Sequence, residues 1–250
     1  MANGIGSLAW MTRSGGRLSG RERWRLIAQA VLAQVGAKLG GRAGRRARHM
    51  DLDALAPPDS EICRAAEALE RSVCPPWLQN HNRRAWIWGQ VIEGAPKADR
   101  EAYYVSALLH DFGLTERYRG EGPDRACFTL AGAREAERLG EQAGWPEART
   151  RIAAQAITLH LNLSIDHRYG PEARMLRAGT AADVVGQAME SVAKQTRQQV
   201  VARHPRLDFK TRILEAFEAD RNVSPCCRGT FLFHRLGGAR MVRATPFFEQ

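Results

Sequence analysis

The adjacent residues His110 and Asp111 place an imidazole and a carboxylate at the end of the most apolar helix that the sequence predicts. That helix runs from about Glu101 to Asp111, and its nearly continuous apolar run is typical of a buried core helix. A carboxylate there faces the negative end of the helix dipole, which costs a few tenths to about 1 kcal/mol. Burial adds a desolvation cost. A divalent cation would supply the missing positive charge, so the pair is a candidate pair of metal ligands.

Three further potential ligands, His81, His160 and Asp183, lie on separate predicted helices among apolar neighbours. Asp183 stands between two alanines and two valines, and buried acids are rare unless they are paired or bound to a metal. Each residue also has an ordinary structural interpretation. Asp183 could pair with a buried arginine, and a single buried histidine is more often a hydrogen-bonded core residue. The metal hypothesis therefore depends on the ordered set and not on any one member.

Two or three imidazoles with two carboxylates form a borderline-hard ligand field. Such a field suits Mn²⁺, Fe²⁺, Co²⁺, Ni²⁺, Zn²⁺ or Mg²⁺ without distinguishing among them. The predicted cofactor is a divalent metal ion, which lowers the pKa of a bound water and polarises a phosphoryl, carbonyl or nitrile group.

Three more residues are candidates for catalysis beside Asp111. Arg84 lies one helical turn from His81, so it could face the same cavity and hold an anionic group. The alternative for Arg84 is a surface salt bridge. Thr115 and Glu116 follow the His-Asp pair and could order a water molecule or act as general base. Their alternative is a solvated loop.

The elements that must position these residues are helices. No alternating strand pattern longer than a few residues and no βαβ rhythm occurs, so the predicted fold class is all-α. The Glu101–Asp111 helix is expected to end at Gly113 as its C-cap, and the helix carrying His81 is expected to open near Asn80. The other predicted helices are 21–39, 61–74, 129–143, 146–161, 171–185 and 209–219.

The net charge of +10 belongs to the N-terminal part of the chain. Residues 1–49 contain ten basic residues and one acidic residue, whereas the remainder is nearly neutral. We expect residues 1–50 to form a basic extension whose first 20 residues are poorly ordered and whose single amphipathic helix runs from Arg21 to Leu39. The main domain is expected over 51–250. Residues 13–48 could make weak contact with a polyanion or a membrane surface.

Several classes of protein are disfavoured by composition. No run approaches the roughly 20 apolar residues of a transmembrane segment. The five cysteines are odd in number and form no C-x-x-C pattern, which argues against a disulfide scaffold and a cysteine zinc site. We expect free thiols, a cytoplasmic location and a small-molecule substrate.

The ordered pattern His81, His110-Asp111 and Asp183, with its flanking residues, resembles the HD-domain superfamily, in particular the branch related to cyanamide hydratase. The flanks that carry the resemblance are 80–84, 107–115, 156–160 and 179–186. Over about residues 50–250 it implies an orthogonal helical bundle with one catalytic metal, held by His81, His110, Asp111 and Asp183. His160 matches a histidine of that branch and, with His167 seven residues later, allows a second-metal interpretation. The paired-histidine and Gly-Tyr-Pro motifs of cyclic-dinucleotide hydrolases are missing.

The leading functional hypothesis is a metal-dependent hydrolase that uses metal-activated water on a phosphoester or nucleotide-like small molecule. The near-neutral body argues weakly against a nucleoside triphosphate. One alternative is a hydro-lyase that hydrates a nitrile-like molecule, as the resemblance to cyanamide hydratase implies. Another class is a nucleic-acid or membrane-associated module acting through the basic N-terminal arm. A purely structural helical protein is the third option, and it predicts no bound metal.

Overall fold

The computed structural model describes residues 4–39, 50–94, 97–120 and 126–245. Within these ranges the chain forms helices and no strand, apart from one isolated antiparallel bridge between Arg17 and Cys227. The predicted all-α fold class is therefore confirmed. No helix in the described ranges is both long enough and apolar enough to cross a membrane.

The helices follow one another along the chain with short connections. They are α1 (Leu8–Ser14), α2 (Gly20–Leu39), α3 (Glu61–Val73), α4 (Pro76–Glu93), α5 (Arg100–Leu109), α6 (Thr129–Gln142), α7 (Glu147–Leu159), α8 (Gly170–Val185), α9 (Lys194–Arg203), α10 (Phe209–Val223), α11 (Arg228–Thr230) and α12 (Gly238–Ala244). The short α11 continues into a π-helical turn, Phe231–Arg235. Single 3-10 turns occur at Asp53–Leu55, Phe112–Leu114, His167–Tyr169 and Met189–Ser191.

Helix α5 lies at the centre of the molecule, as its sequence predicts. Every residue from Ala102 to Leu109 is buried, and α3, α4, α6, α7 and α8 all pack against it. Asp99 caps its N-terminus by accepting a hydrogen bond from the Ala102 N–H at 3.1 Å, which satisfies one of the unpaired backbone donors of the first turn. The end of this helix therefore lies inside the main core.

Helices α4 and α8 run antiparallel and form the most extensive helix pair. Two glycines allow this close approach. A Cβ on Gly179 would lie 2.0 Å from the Ala85 carbonyl oxygen, and one on Gly89 would lie 2.4 Å from that of Met175. Because a helix turn is about four residues, the Ala85–Gly179 contact lies one turn from His81 on α4 and Asp183 on α8. The packing therefore sets the distance between those two side chains.

The start of α4 differs from the prediction. The Pro75-Pro76 pair predicts the end of α3, and the sequence predicts that the next helix begins near Asn80. Helix α4 instead begins at Pro76 itself, because a proline at the first helical position loses no intrahelical hydrogen bond and already has a helical φ. His81 therefore lies in the second turn of a long helix, not at its opening.

The predicted C-cap at Gly113 is also wrong. Helix α5 ends with His110 as its C-cap, and Gly113 lies inside the following 3-10 turn. The lack of a side chain at Gly113 serves packing instead, since a Cβ there would lie 2.3 Å from the backbone oxygen of Phe128.

Residues 4–18 are part of the folded body, contrary to the disorder expected over residues 1–20. Helix α1 is capped by Ser7, and Trp10 and Met11 are buried in a second core cluster. The segment after α1 is bonded to two distant parts of the chain: the Cys127 N–H donates to the Gly15 carbonyl and the Arg228 N–H to that of Gly16. Residues 4–18 therefore belong structurally with the C-terminal helices.

Helix α2 covers the segment for which an amphipathic helix is predicted, but much of the described part of its apolar face is exposed to solvent. Leu26 is buried in the second core cluster, whereas Trp24, Val31 and Leu32 are exposed. The basic linker at 42–48 lies outside the described residues, and the domain boundary at residue 51 stays a prediction.

Candidate metal centre

Three buried side chains from two helices bring their donor atoms together. The Nε2 atom of His81 lies 3.2 Å from Nε2 of His110 and 3.6 Å from Oδ2 of Asp111. His110 Nε2 lies 3.3 Å from the same carboxylate oxygen. We call this group the His-Asp cluster, and it is the one set of metal-ligating residue types found close together in the described part of the chain.

His160 lies at the edge of the His-Asp cluster. Its Nε2 atom is 3.7 Å from Oδ1 of Asp111, and its ring meets that of His110 edge-on, with 4.9 Å between centroids. The prediction that His160 lies near the His-Asp pair agrees with this geometry. Asp111 thus has one oxygen toward His81 and His110 and the other toward His160.

All three histidines bind an oxygen through Nδ1. The Nδ1 atom of His81 lies 2.7 Å from Oδ2 of Asp183, that of His110 lies 2.9 Å from the Ala107 carbonyl, and that of His160 lies 2.7 Å from the Ile157 carbonyl. Since these oxygens are acceptors, each Nδ1 carries the proton in the neutral ring. In that form the Nε2 lone pairs of His81 and His110 face each other and Oδ2 of Asp111, and that of His160 faces Oδ1 of Asp111.

Helix ends explain why two of these rings are oriented alike. His110 is the C-cap of α5 and His160 the C-cap of α7, and each binds the carbonyl three residues before it. Carbonyls of the last helical turn have no intrahelical partner, so the ring N–H satisfies one of them and its own orientation is fixed. A histidine at a helix C-cap is thus held by local structure alone.

The His-Asp cluster fits a metal ion by two independent criteria. Ligands that stand about 2.0–2.2 Å from one ion are separated from one another by about 3–3.6 Å, and the separations here are 3.2, 3.3 and 3.6 Å. Metal-bound histidines also nearly always donate their other ring N–H to a carboxylate or carbonyl, as all three do here.

The electrostatics of the site favour a positive charge. Burial lowers the pKa of His110, but the adjacent Asp111 carboxylate outweighs it, so the pKa lies above its ordinary value. Burial would raise the pKa of Asp111, yet the three imidazoles hold it well below its usual range. Burial and then the His110 charge lower the pKa of His160 to about 3. One cation, a proton or a metal ion, therefore suits the site.

The Asp183 carboxylate lies behind the His81 ring and is not among the grouped ligand atoms, so its predicted role as a metal ligand stays a prediction. Besides His81, its carboxylate accepts hydrogen bonds from Arg84 Nε at 2.8 Å, Arg84 Nη2 at 2.9 Å, Trp88 Nε1 at 3.1 Å and Arg206 Nη1 at 3.1 Å. These donors occupy the lone pairs of both oxygens. Asp183 orients His81 from behind, and the arginine-partner interpretation of this residue agrees with the geometry.

Arg84 likewise differs from both sequence interpretations, which were a substrate contact and a surface salt bridge. The residue is fully buried, and its remaining Nη1 donors bind the carbonyls of His204 and Pro205. Four of its five N–H groups are therefore bound to protein oxygens. Arg206 completes this pair of arginines around Asp183 and was not singled out from the sequence, because nothing in its local setting marks it as buried.

Thr115 and Glu116 lie at the wall of a surface cleft of about 950 Å³ beside the site. Thr115 Oγ1 donates to the Phe112 carbonyl at 2.7 Å, while Glu116 is exposed. The cleft also contains Cys74, whose pKa is raised by burial and by the charges of Glu70 and Asp111. The charge of the Asp111 carboxylate therefore reaches Cys74 in the wall of this cleft.

Two aromatic rings from the second core cluster flank the site, and neither was predicted. Phe209 stacks on His81 with 4.7 Å between ring centroids, and Phe128 meets His160 edge-on at 6.0 Å. His167, by contrast, is exposed on a 3-10 turn and is not part of the grouped ligands. The second-metal interpretation through His167 therefore has no support in the geometry.

No protein-family model matches this chain, and no curated protein sequence matches it.

Proposed function

We propose that this protein is a metal-dependent hydrolase of the HD-domain type, with the ion held by His81, His110 and Asp111 and with His160 beside them. The observation that carries the proposal is the convergence of three Nε2 atoms on one buried carboxylate. Such a convergence of electron-rich atoms is unfavourable without a cation between them. The ion would supply a Lewis acid and a water molecule of lowered pKa.

The residues of the chain have separate tasks in this proposal. Asp183 holds the His81 ring through Nδ1, and the carbonyls of Ala107 and Ile157 hold the other two rings. Phe209 and Phe128 exclude water from two sides of the site. Asp111 and His160 are 4% and 5% exposed, and His160 Nε2 lies 3.7 Å from Asp111 Oδ1, so in this proposal His160 is the candidate group to exchange a proton with a molecule bound beside Asp111.

The cleft favours an anionic substrate. Four arginines, Arg71, Arg117, Arg119 and Arg212, line it with only two glutamates, Glu116 and Glu215. Guanidinium groups bind phosphate with paired hydrogen bonds, and a local positive charge raises the concentration of anions. These features support a phosphoester or nucleotide-like molecule as the substrate class.

Hydration of a nitrile-like molecule is the second candidate, and the near-complete burial of the His-Asp cluster favours it. A small neutral molecule could reach such a site without the cleft arginines. Turnover of phosphomonoesters, nucleotides and cyanamide, measured with Mn²⁺, Fe²⁺ and Zn²⁺, separates the two. Replacing Arg71 and Arg212 with glutamine should raise KM for the phosphoester and leave cyanamide turnover unchanged.

Elemental analysis of the purified protein tests the metal site itself. We expect about one equivalent of a divalent metal in the wild type and its loss in His110→Ala and in Asp111→Ala. His167→Ala removes an exposed histidine and should retain the metal. Circular dichroism shows whether each variant is folded. Unchanged metal content in folded His110→Ala and Asp111→Ala proteins, or a metal-free wild type that does not take up added ions, would contradict the proposal.

A further inference from the structure

The outward side of α2 carries a concentration of exposed apolar surface. Of the six large apolar side chains that are exposed in the described residues, three lie on this helix: Trp24 at 73%, Val31 at 54% and Leu32 at 70%. Val31 and Leu32 follow Trp24 by seven and eight residues, which is two helical turns, so all three share one side of the helix with exposed Ala28 between them. We call this side the α2 apolar face.

Basic residues border the α2 apolar face. Arg23 and Arg25 are exposed and point about 100° to either side of Trp24, and Arg21 is exposed one turn before Arg25. No acidic residue follows Glu22 in the sequence until Asp51. An apolar strip with Arg23 and Arg25 on its two sides and Arg21 at its N-terminal end is the pattern of helices that lie in the plane of a membrane surface.

The inner side of α2 is anchored to the body of the protein. Leu26 is buried in the second core cluster. The Glu22 carboxylate accepts a hydrogen bond from Trp10 Nε1 at 2.6 Å. It also accepts one from the Ser19 backbone N–H at 2.8 Å, and this bond forms a capping box at the helix start. Its negative charge is thereby directed inward. The α2 apolar face must therefore point away from the protein.

We propose that the α2 apolar face is a docking surface for an anionic lipid bilayer, which holds the enzyme at a membrane. Insertion of Trp24, Val31 and Leu32 to the level of the headgroups would bury their apolar area. The arginines at the edges would remain level with the negatively charged headgroups.

Two other occupants fit this surface less well. A nucleic acid would use the arginines, but Val31 and Leu32 offer it neither charge nor a ring for stacking. A second copy of the chain would cover the apolar side chains, but symmetric pairing of α2 would bring the arginines of both copies together and no acidic side chain faces them.

The test is co-sedimentation of the full-length protein with vesicles of phosphatidylcholine alone and of phosphatidylcholine mixed with phosphatidylserine. We expect binding to the mixed vesicles that weakens as salt is raised. The double variant Trp24→Gln/Leu32→Gln should bind at least about tenfold more weakly, and Arg21→Gln and Arg25→Gln should each cost about fivefold.

Helix α12 supplies matched controls, because it carries an exposed apolar residue, Met241 at 50%, and exposed Arg240 and Arg243. Met241→Gln and Arg240→Gln/Arg243→Gln should leave vesicle binding unchanged. Thermal unfolding and metal content should be unchanged in all variants, because every replaced side chain is exposed and belongs neither to the His-Asp cluster nor to a core cluster.

Three results would overturn the proposal. The first is equal binding by the α2 variants and the α12 controls. The second is binding of duplex DNA or RNA that depends on Arg21 and Arg25 but not on Trp24 and Leu32, without binding to vesicles. The third is a wild-type dimer, detected by light scattering, that becomes monomeric in Trp24→Gln/Leu32→Gln without any affinity for vesicles.

Discussion

At the scale of single residues, the orientation of each imidazole is set by the hydrogen bond that its Nδ1 makes. In His110 and His160 the acceptor is a carbonyl of the same helix. In His81 the acceptor is the carboxylate of Asp183, which is more than 100 residues away in the sequence. Burial would raise the pKa of that carboxylate, but Arg84 and Arg206 outweigh it, and the pKa of Asp183 is held well below its ordinary value. Asp183 therefore stays charged, and its hydrogen bond with Nδ1 makes the Nε2 atom of His81 more basic and a stronger ligand for a cation.

Removing the charge of Asp183 tests this arrangement. Asp183→Asn keeps the shape but leaves Arg84 and Arg206 buried without a carboxylate, and breaking a buried ion pair costs about 3–5 kcal/mol. We expect a loss of stability of that order, measured by denaturant unfolding, and a metal affinity lowered about 10- to 100-fold, measured by titration of the metal-free protein.

The surface variant Asp166→Asn is the control, because Asp166 is exposed and its loss should change neither quantity. A total loss of metal in a variant of wild-type stability would mean that Asp183 is itself a ligand. Unchanged affinity and stability would mean that neither role is correct.

At the scale of helices, the site depends on how closely α4 and α8 approach. The two helices can approach closely because Gly89 and Gly179 have no side chain, and each of these glycines faces the backbone of the other helix. A backbone atom cannot rotate away as a side chain can, so added volume at this contact must separate the helices. His81 and Asp183, one turn along, would then separate too.

Gly179→Ala adds only one methyl group, but we expect it to lower the stability of the protein markedly. The new Cβ would lie 2.0 Å from the Ala85 carbonyl oxygen, and overpacking of this kind costs about 1–3 kcal/mol or more. Thermal unfolding should report the loss of stability, and metal titration should report weaker binding. Gly20→Ala is the control, since nothing lies within 4 Å of a Cβ there. Equal stability of the two variants would contradict the proposed role of the contact.

At the scale of the whole molecule, the two ends of the chain fold together. Residues from α1 share the second core cluster with Phe209, Phe217 and Phe233, and this cluster supplies the rings that flank the His-Asp cluster. Residues 4–18 thus contribute side chains to the same core as the C-terminal helices. Deleting them would remove core side chains, so a deletion cannot separate a binding function of α2 from the function of the body.

The two tryptophans near the N-terminus provide a direct comparison. Trp10 is 3% exposed and Trp24 is 73% exposed. Because truncating a buried tryptophan costs about 3–5 kcal/mol, Trp10→Ala should lower the free energy of unfolding by about that amount. Trp24→Ala should change it by less than about 0.5 kcal/mol. Urea unfolding measures both, and similar values for the two variants would contradict the packing of α1 into the core.

The sequence by itself determined the features that depend on neighbours along the chain. Helical periodicity predicts the all-α class and the buried helix α5, and an apolar helix ending in His110-Asp111 predicts a buried charge that needs a partner. The Ser19-to-Glu22 capping box could also have been found this way. These features follow from interactions within a few residues, so local spacing is sufficient to predict them.

Only the tertiary structure decided which of the candidate side chains meet. Asp183 was expected to be a buried acid and is one, whereas Arg84 was expected to face a cavity or to form a surface salt bridge. The contacts of Asp183 with Arg84 and Arg206 depend on how α4, α8 and the segment before α10 pack together. The burial of Trp10 and the exposure of Trp24 likewise depend on which surfaces the second core cluster covers. Sequence periodicity tells which side of a helix is apolar, but contacts between residues about 100 positions apart are decided by how whole helices pack.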